Sequence, residues 1–277
     1  MGDSVYFISD LHLGAATFDR PLDYERRVVR FLDSIKSDCK ALYLVGDVID
    51  YWFEYRQVVP RGFTRFLGKI GELTDAGIEV HWFTGNHDIW IFDYIEQETG
   101  AHVHRHGETL NIQGRLCYVA HGDGLGHDTM AFRLMNGFFH SRVCQWLFSL
   151  VHPDLATSFA HRWSAHSRRT GLDMPDYLGE DREHLVIWTK RRMRELEQQG
   201  QPVPAFFIFG HRHIMLDLML SRATRIVILG DWIRHFSYGV MAPDGQFSLC
   251  QFEEGDSDAS AEPSGNVSIA FCGAANG

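Results

Sequence analysis

The sequence has no pair of cysteines at Cys-x-x-Cys spacing. Its five cysteines (39, 117, 144, 250 and 272) are odd in number and scattered. This argues against a disulfide scaffold and predicts reduced thiols in a cytoplasmic setting. No apolar stretch reaches the roughly 18 residues that mark a membrane span. No leader is expected, because the first strand starts near Val5 and chemistry-bearing residues follow at Asp10. Basic charge is not in excess: 26 Lys and Arg stand against 36 Asp and Glu, for a net charge of -10. That balance argues against general nucleic-acid affinity. Much of the acidity lies in one run, Glu253-Glu254-Gly255-Asp256-Ser257-Asp258, so the body is less acidic than the total. No internal repeat is visible.

What is present is an ordinary globular composition. At 277 residues and 45% hydrophobic, the chain can bury a large core as one domain with an insertion, or as two small domains. Val5 to Ser9 is an apolar run ending at a carboxylate. Val28, Phe31, Leu32 and Ile35 recur at helical spacing. Ala41 to Val45 reads as a buried strand, and Phe63, Phe66, Leu67, Ile70 and Leu73 as a helical stripe. Glu79 to Phe83 reads as another strand. This βαβαβ alternation predicts parallel strands with helical crossovers, with ligands outside the carboxyl ends of the strands. From Asn111 the pattern predicts short strands at 115–120, 205–209, 225–229, 236–241 and 247–252, suggesting a second, mainly antiparallel sheet. Between Gly124 and Pro204 the rows are helical. After Glu253 the chain turns to Ser, Ala, Gly, Asp and Pro, the composition of a disordered tail.

Five short motifs follow one another, most of them where an apolar strand ends. They are Asp10-Leu11-His12, Gly46-Asp47-Val48-Ile49-Asp50, Gly85-Asn86-His87-Asp88, His121-Gly122-Asp123 and Gly210-His211-Arg212-His213. Each alone is weak, since Gly-Asp after a strand is more often a turn. As a set they supply enough imidazole, carboxylate and amide oxygen for two divalent metals about 3.5–4 Å apart. Mixed nitrogen and oxygen ligation without thiolate suits Mn, Fe, Co or Zn better than Ca.

The order and residue types of these motifs resemble the calcineurin-like metallophosphoesterases, and within them the UDP-2,3-diacylglucosamine pyrophosphohydrolases of lipid A synthesis. The resemblance covers Val5 to about Phe252. It implies an α/β fold, a two-sheet αββα sandwich with a helical lid. Residues 1–252 would form the domain, 125–204 the inserted lid and 253–277 a disordered tail. It also implies that Asp10, His12 and His213 bind one metal and that Asn86, His121 and His211 bind the other. Asp47 would bridge both. Manganese is the metal it favours. Asp50 and Asp88 would orient ligand imidazoles, although a helix N-cap is an equal reading of each. His87 would lie beside the metals as the catalytic group. The best-known lipid A enzymes carry Arg there, so the substrate stays open between UDP-2,3-diacylglucosamine and another nucleotide, sugar phosphate or phosphodiester.

The region expected as a lid carries aromatic residues, among them Phe139 and Trp146. Interleaved with them are basic ones, including Arg133, Arg168 and Arg169. One reading is a helical hairpin with its own small core and a solvated basic face. The other is a lid whose apolar face receives acyl chains while its arginines grip phosphates. Such a lid could rest on the anionic cytoplasmic face of the inner membrane and collect a lipid-linked UDP-sugar there.

Overall fold

A computed structural model describes residues 2–126, 137, 139, 141–158 and 177–253. The order begins β1 (Ser4–Ile8), α1 (Pro21–Ile35), β2 (Cys39–Val45), α2 (Thr64–Asp75), β3 (Glu79–Phe83), α3 (Tyr94–Thr99) and β4 (His102–His104). It continues with β5 (Glu108–Ile112), β6 (Arg115–Val119), α4 (Arg142–Ser149), α5 (His184–Gln198) and β7 (Phe206–Phe209). It closes with β8 (Met215–Met219), β9 (Arg225–Leu229), β10 (Ser237–Met241) and β11 (Phe247–Gln251).

Two sheets pack face to face. One has the order β11-β10-β1-β2-β3-β4, the other β5-β6-β7-β9-β8. Within the first, β1, β2, β3 and β4 run parallel. Within the second, β6, β7 and β9 run parallel. Strands buried on both faces read as continuous apolar runs, because both sides of the pleat need a partner. Alternate residues of β1 and β2 show this. Val5, Phe7, Ala41, Tyr43 and Val45 enter the core between the sheets with Val119, Ile208, Val227 and Leu229. Tyr6, Ile8, Leu42 and Leu44 face outward beneath Val28, Phe31 and Leu32 of α1 and Phe66, Ile70 and Leu73 of α2. Pro21 opens α1, where its missing N–H costs no helical bond. Full burial of a side chain such as Phe31 contributes about 1.5–3 kcal/mol.

Three sequence expectations are corrected here. The second sheet is mixed rather than mainly antiparallel, since only β5 and β8 oppose their neighbours. The strands expected at 236–241 and 247–252 belong to the first sheet, where β10 pairs antiparallel with β1 through Val5↔Met241. Helix α5, inside the stretch read as a lid, instead covers the outer face of the second sheet. Its Leu185, Val186 and Met193 pack with Ala120, Phe207, Phe209, Ile226 and Ile228. It is the fourth layer of the sandwich, and Lys190, Arg191, Arg192 and Arg194 lie on it.

Helix α4 is docked by aromatic contacts. Phe148 packs on Phe53 and Trp90, with ring centroids 4.9 and 4.7 Å away. The Trp90 indole N–H donates to the Phe139 carbonyl at 2.9 Å. Arg133, Arg168 and Arg169 lie outside the described residues. Among the described residues no helix is long and apolar enough to cross a membrane.

Candidate metal centre

The parallel strands of both sheets deliver the motif residues to one place. Asp10 and His12 follow β1, Asp47 and Asp50 follow β2, and Asn86, His87 and Asp88 follow β3. His121 follows β6, and His211 and His213 follow β7. The turns that aim these side chains are strained. Asp10, His12, Asp47, His211 and His213 all have positive φ, between 45° and 67°. Left-handed backbone costs a non-glycine residue roughly 1–2 kcal/mol, so the surrounding packing must hold each turn in place. Two motif glycines permit the close approach. A Cβ on Gly85 would overlap Asp47 Oδ1, and one on Gly210 would overlap Ser9 Oγ.

Two groups of side chains converge there. Asp10, His12 and His213 form one group; His213 Nε2 lies 3.5 Å and His12 Nε2 3.8 Å from Asp10 Oδ1. Asp47, His121 and His211 form the other, with His121 Nε2 3.2 Å from Asp47 Oδ2. Asp47 Oδ2 is also 3.7 Å from His12 Nε2, so this carboxylate stands between the groups. His87 joins His12 and Asp47 in a third combination, its Nε2 4.0 Å from Asp47 Oδ2. Asn86 lies in the same loop as His87 and is exposed.

Asp10 Oδ1, His12 Nε2 and His121 Nε2 are buried and make no hydrogen bond. A buried polar atom left so costs about 1–3 kcal/mol, which a cation at the centre would offset. The outward atoms, by contrast, are engaged. His121 Nδ1 is 2.9 Å from the Val45 carbonyl, and His12 Nδ1 is 3.3 Å from Asp50 Oδ1. Asp10 Oδ2 accepts from the His211 N–H at 2.9 Å, and Asp47 Oδ1 from the His87 N–H at 2.9 Å. Each donor atom therefore faces inward with its orientation fixed from behind, the arrangement a divalent metal requires.

The charges follow the same geometry. Burial would raise the Asp47 carboxyl, but the His121 and His87 imidazoles outweigh it and hold the group well below its ordinary range. Burial opposes the charged form of His121, yet the adjoining Asp47 carboxylate lifts its pKa well above the usual value. His211 is pushed down to about 3, by burial and then by His121. His87 is pushed down to about 4, chiefly by burial and against the pull of Asp47. The low values keep His211 and His87 neutral, the state in which an imidazole can ligate metal, whereas His121 holds its proton against Asp47 until a cation displaces it.

Asp50 sits where an orienting residue should, against His12 and 3.6 Å from His87 Nδ1. Asp88 does not. Its carboxylate accepts from the N–H groups of Gly85 and Val48 and from the Trp82 indole, not from an imidazole. It ties the β2 and β3 loops together, and burial pushes it up to about 6. Phe139 meets the sandwich at Trp90, with ring centroids 5.7 Å apart, while Trp146 is 61% exposed. One residue was missed by sequence reading. Asp231, after β9, has Oδ2 3.2 Å from His213 Nδ1. Its signal was Leu229-Gly230-Asp231, a strand end matching Val45-Gly46-Asp47.

Comparison with known proteins bears on the same stretch. The profile of the calcineurin-like phosphoesterases matches residues 4–215. A UDP-2,3-diacylglucosamine hydrolase from Porphyromonas gingivalis is 42% identical over 252 residues, covering 87% of this chain and 94% of that protein. One from Vibrio vulnificus is 25% identical over 254 residues, covering 88% and 96%. Among solved structures, a dimetal phosphatase from Danio rerio aligns with a TM-score of 0.39 at 12% identity, covering 87% of this chain and 92% of that one. The profile runs from the first strand through the last histidine motif and so takes in all five motifs that converge on the centre: the chain belongs to the calcineurin-like phosphoesterase family.

Proposed function

We propose that this protein hydrolyses the pyrophosphate bond of UDP-2,3-diacylglucosamine, releasing 2,3-diacylglucosamine 1-phosphate and UMP. One observation carries the reading: the relative at 42% identity bears that substrate's name and spans nearly the whole chain. In this reading Asp10, His12 and His213 hold one divalent ion. Asn86, His121 and His211 hold the other, and Asp47 is shared. Manganese is the metal proposed. Two such ions would polarise the phosphoryl oxygens and lower the pKa of the attacking water.

The chain's own groups do the rest. Asp50 fixes His12 through Nδ1, so Nε2 faces the centre. His87 Nδ1 lies 2.9 Å from the Asp50 carbonyl, which requires the proton on that nitrogen. Its Nε2 is then the atom that can take up a proton and hand it on beside the reacting phosphate. The segment around α4, with Phe139 and Trp146, is proposed to meet the acyl chains, and Arg133, Arg168 and Arg169 to meet phosphates. The proposed place of work is the cytoplasmic face of the inner membrane.

The test is direct. Full-length protein with Mn²⁺ should release UMP from UDP-2,3-diacylglucosamine and turn over deacylated UDP-glucosamine poorly. Comparable efficiency on both would leave a general dimetal phosphoesterase acting on another nucleotide, sugar phosphate or phosphodiester.

A further inference from the structure

Arg212 stands between His211 and His213, and its guanidinium is paired inside the protein. Nε donates to Glu183 Oε1 at 2.8 Å, and a terminal nitrogen donates to Oε2 at 3.0 Å. Glu183 is fully buried and Arg212 is 8% exposed. Glu183 immediately precedes α5, at the cap position, yet its side chain makes no capping bond. A carboxylate there would ordinarily be used on the helix N–H groups. Here it is committed to Arg212.

The turn it grips is strained on both sides, with φ of 67° at His211 and 52° at His213. The Arg212 N–H closes that turn onto the Gly210 carbonyl at 2.8 Å. The start of α5 also abuts the loop after His121. A Cβ on Gly122 would press on Leu185, and one on Gly126 on the His184 carbonyl. Stability explains this pair poorly. Desolvating two charges cancels most of their attraction, and well-packed apolar replacements of such pairs are often as stable. What the fork of two parallel hydrogen bonds provides is direction, which Lys in place of Arg would not supply.

We propose that the Arg212–Glu183 pair is a positioning device for the metal centre. It fastens the turn that presents His211 and His213 to the first turn of α5 and so sets the inward aim of both imidazoles. The inference rests on the reading of those two histidines as ligands to different ions.

The experiment measures Mn²⁺ binding to the full chain by titration calorimetry, with thermal unfolding in chelator as a separate readout. Wild-type protein should bind two ions. The double variant Glu183→Leu with Arg212→Met removes both charges together. It should unfold in chelator near the wild-type temperature but bind Mn²⁺ about 10–100-fold more weakly, the usual scale for residues that orient ligands. Arg212→Lys keeps the charge and loses the fork, and should weaken Mn²⁺ binding in the same direction. If the double variant does not fold, Arg212→Lys alone decides. Wild-type affinity in either folded variant overturns the inference and leaves the dimetal reading intact. A wild-type protein that binds no Mn²⁺ overturns both.

Discussion

Asp231 Oδ2 lies 3.2 Å from His213 Nδ1, while Asp231 Oδ1 accepts from the backbone N–H groups of Ile233, Arg234 and His235. Burial would raise this carboxyl, but His213 and those N–H groups hold it well below the ordinary range. An ionised Asp231 keeps a proton on Nδ1 and turns Nε2 toward Asp10. Asp231→Asn should therefore weaken Mn²⁺ binding by about 10–100-fold. Unchanged affinity in a calorimetric titration would show that His213 is oriented by something else.

Asp47 faces both groups of imidazoles, so Asp47→Ala should loosen both ions and abolish turnover. Asp10→Ala should mainly empty one site. Metal analysis after gel filtration separates the two. Two retained ions per chain in the Asp47 variant would exclude its shared role.

His87→Ala should leave metal content near wild type and lower the rate by about 10²–10⁴-fold, the scale of lost acid–base catalysis. His87→Arg places a fixed cation beside the centre and should retain more activity than His87→Ala. Equal losses in the two variants would exclude charge stabilisation as the role of this position.

Trp146 is largely exposed, so Trp146→Ala should cost little stability. If acyl chains lie against α4, the substitution should harm the diacylated substrate far more than a small activated phosphodiester. Shortening the acyl chains should weaken binding by about 0.8 kcal/mol per methylene, or about fourfold per carbon. Equal damage to both reactions would place Trp146 outside the substrate path.

His81 lies 3.0 Å from His104 Nε2 and stacks on Tyr43. Its pKa is pushed down to about 4, by burial first and then by His104 and His102. The unfolded chain, with an ordinary value near 6.5, binds the proton first on acidification. Stability from this group is thus whole above about pH 6.5 and falls as the pH drops toward 4, by up to about 1.4 kcal/mol per pH unit. His81→Gln should flatten the unfolding profile between pH 4 and 6.5. A variant slope equal to wild type would assign the acid sensitivity to other groups.

The first half of the sandwich was legible because local signals decide it. β1 and residues 41–45 of β2 are continuous apolar runs, β3 ends in Trp82 and Phe83, and α1 and α2 carry stripes one helical turn apart. The residues that converge on the centre were legible because most follow an apolar strand. Sheet membership was not. Whether β10 joins β1 or the second sheet rests on the pairing of Val5 with Met241, 236 residues apart, and no local pattern records it. β4 is three residues long with two histidines, too short and too polar to announce a strand. In α5 a narrow buried row, Leu185, Val186, Thr189, Met193 and Leu196, is crossed by four basic residues, so a layer of the core read as part of the helical insertion. Asp88 shows the limit for side chains. Its position in the motif was plain, but what its oxygens bond depends on how closely the β2 and β3 loops approach.

The two groups of side chains each draw on both sheets: Asp10 and His12 with His213, and Asp47 with His121 and His211. An ion in either place would act as a rivet through the seam of the sandwich, joining halves that otherwise adhere chiefly through apolar contact and a few hydrogen bonds such as His211 N–H to Asp10. Since the unfolded chain cannot gather such ligands, each rivet would shift the folding balance by mass action. The gain would be about 2.7 kcal/mol for free metal at one hundred times its dissociation constant. The persistence of the folded protein would then follow the metal supply of its surroundings, and starvation for the ion would remove the catalyst as well as its activity.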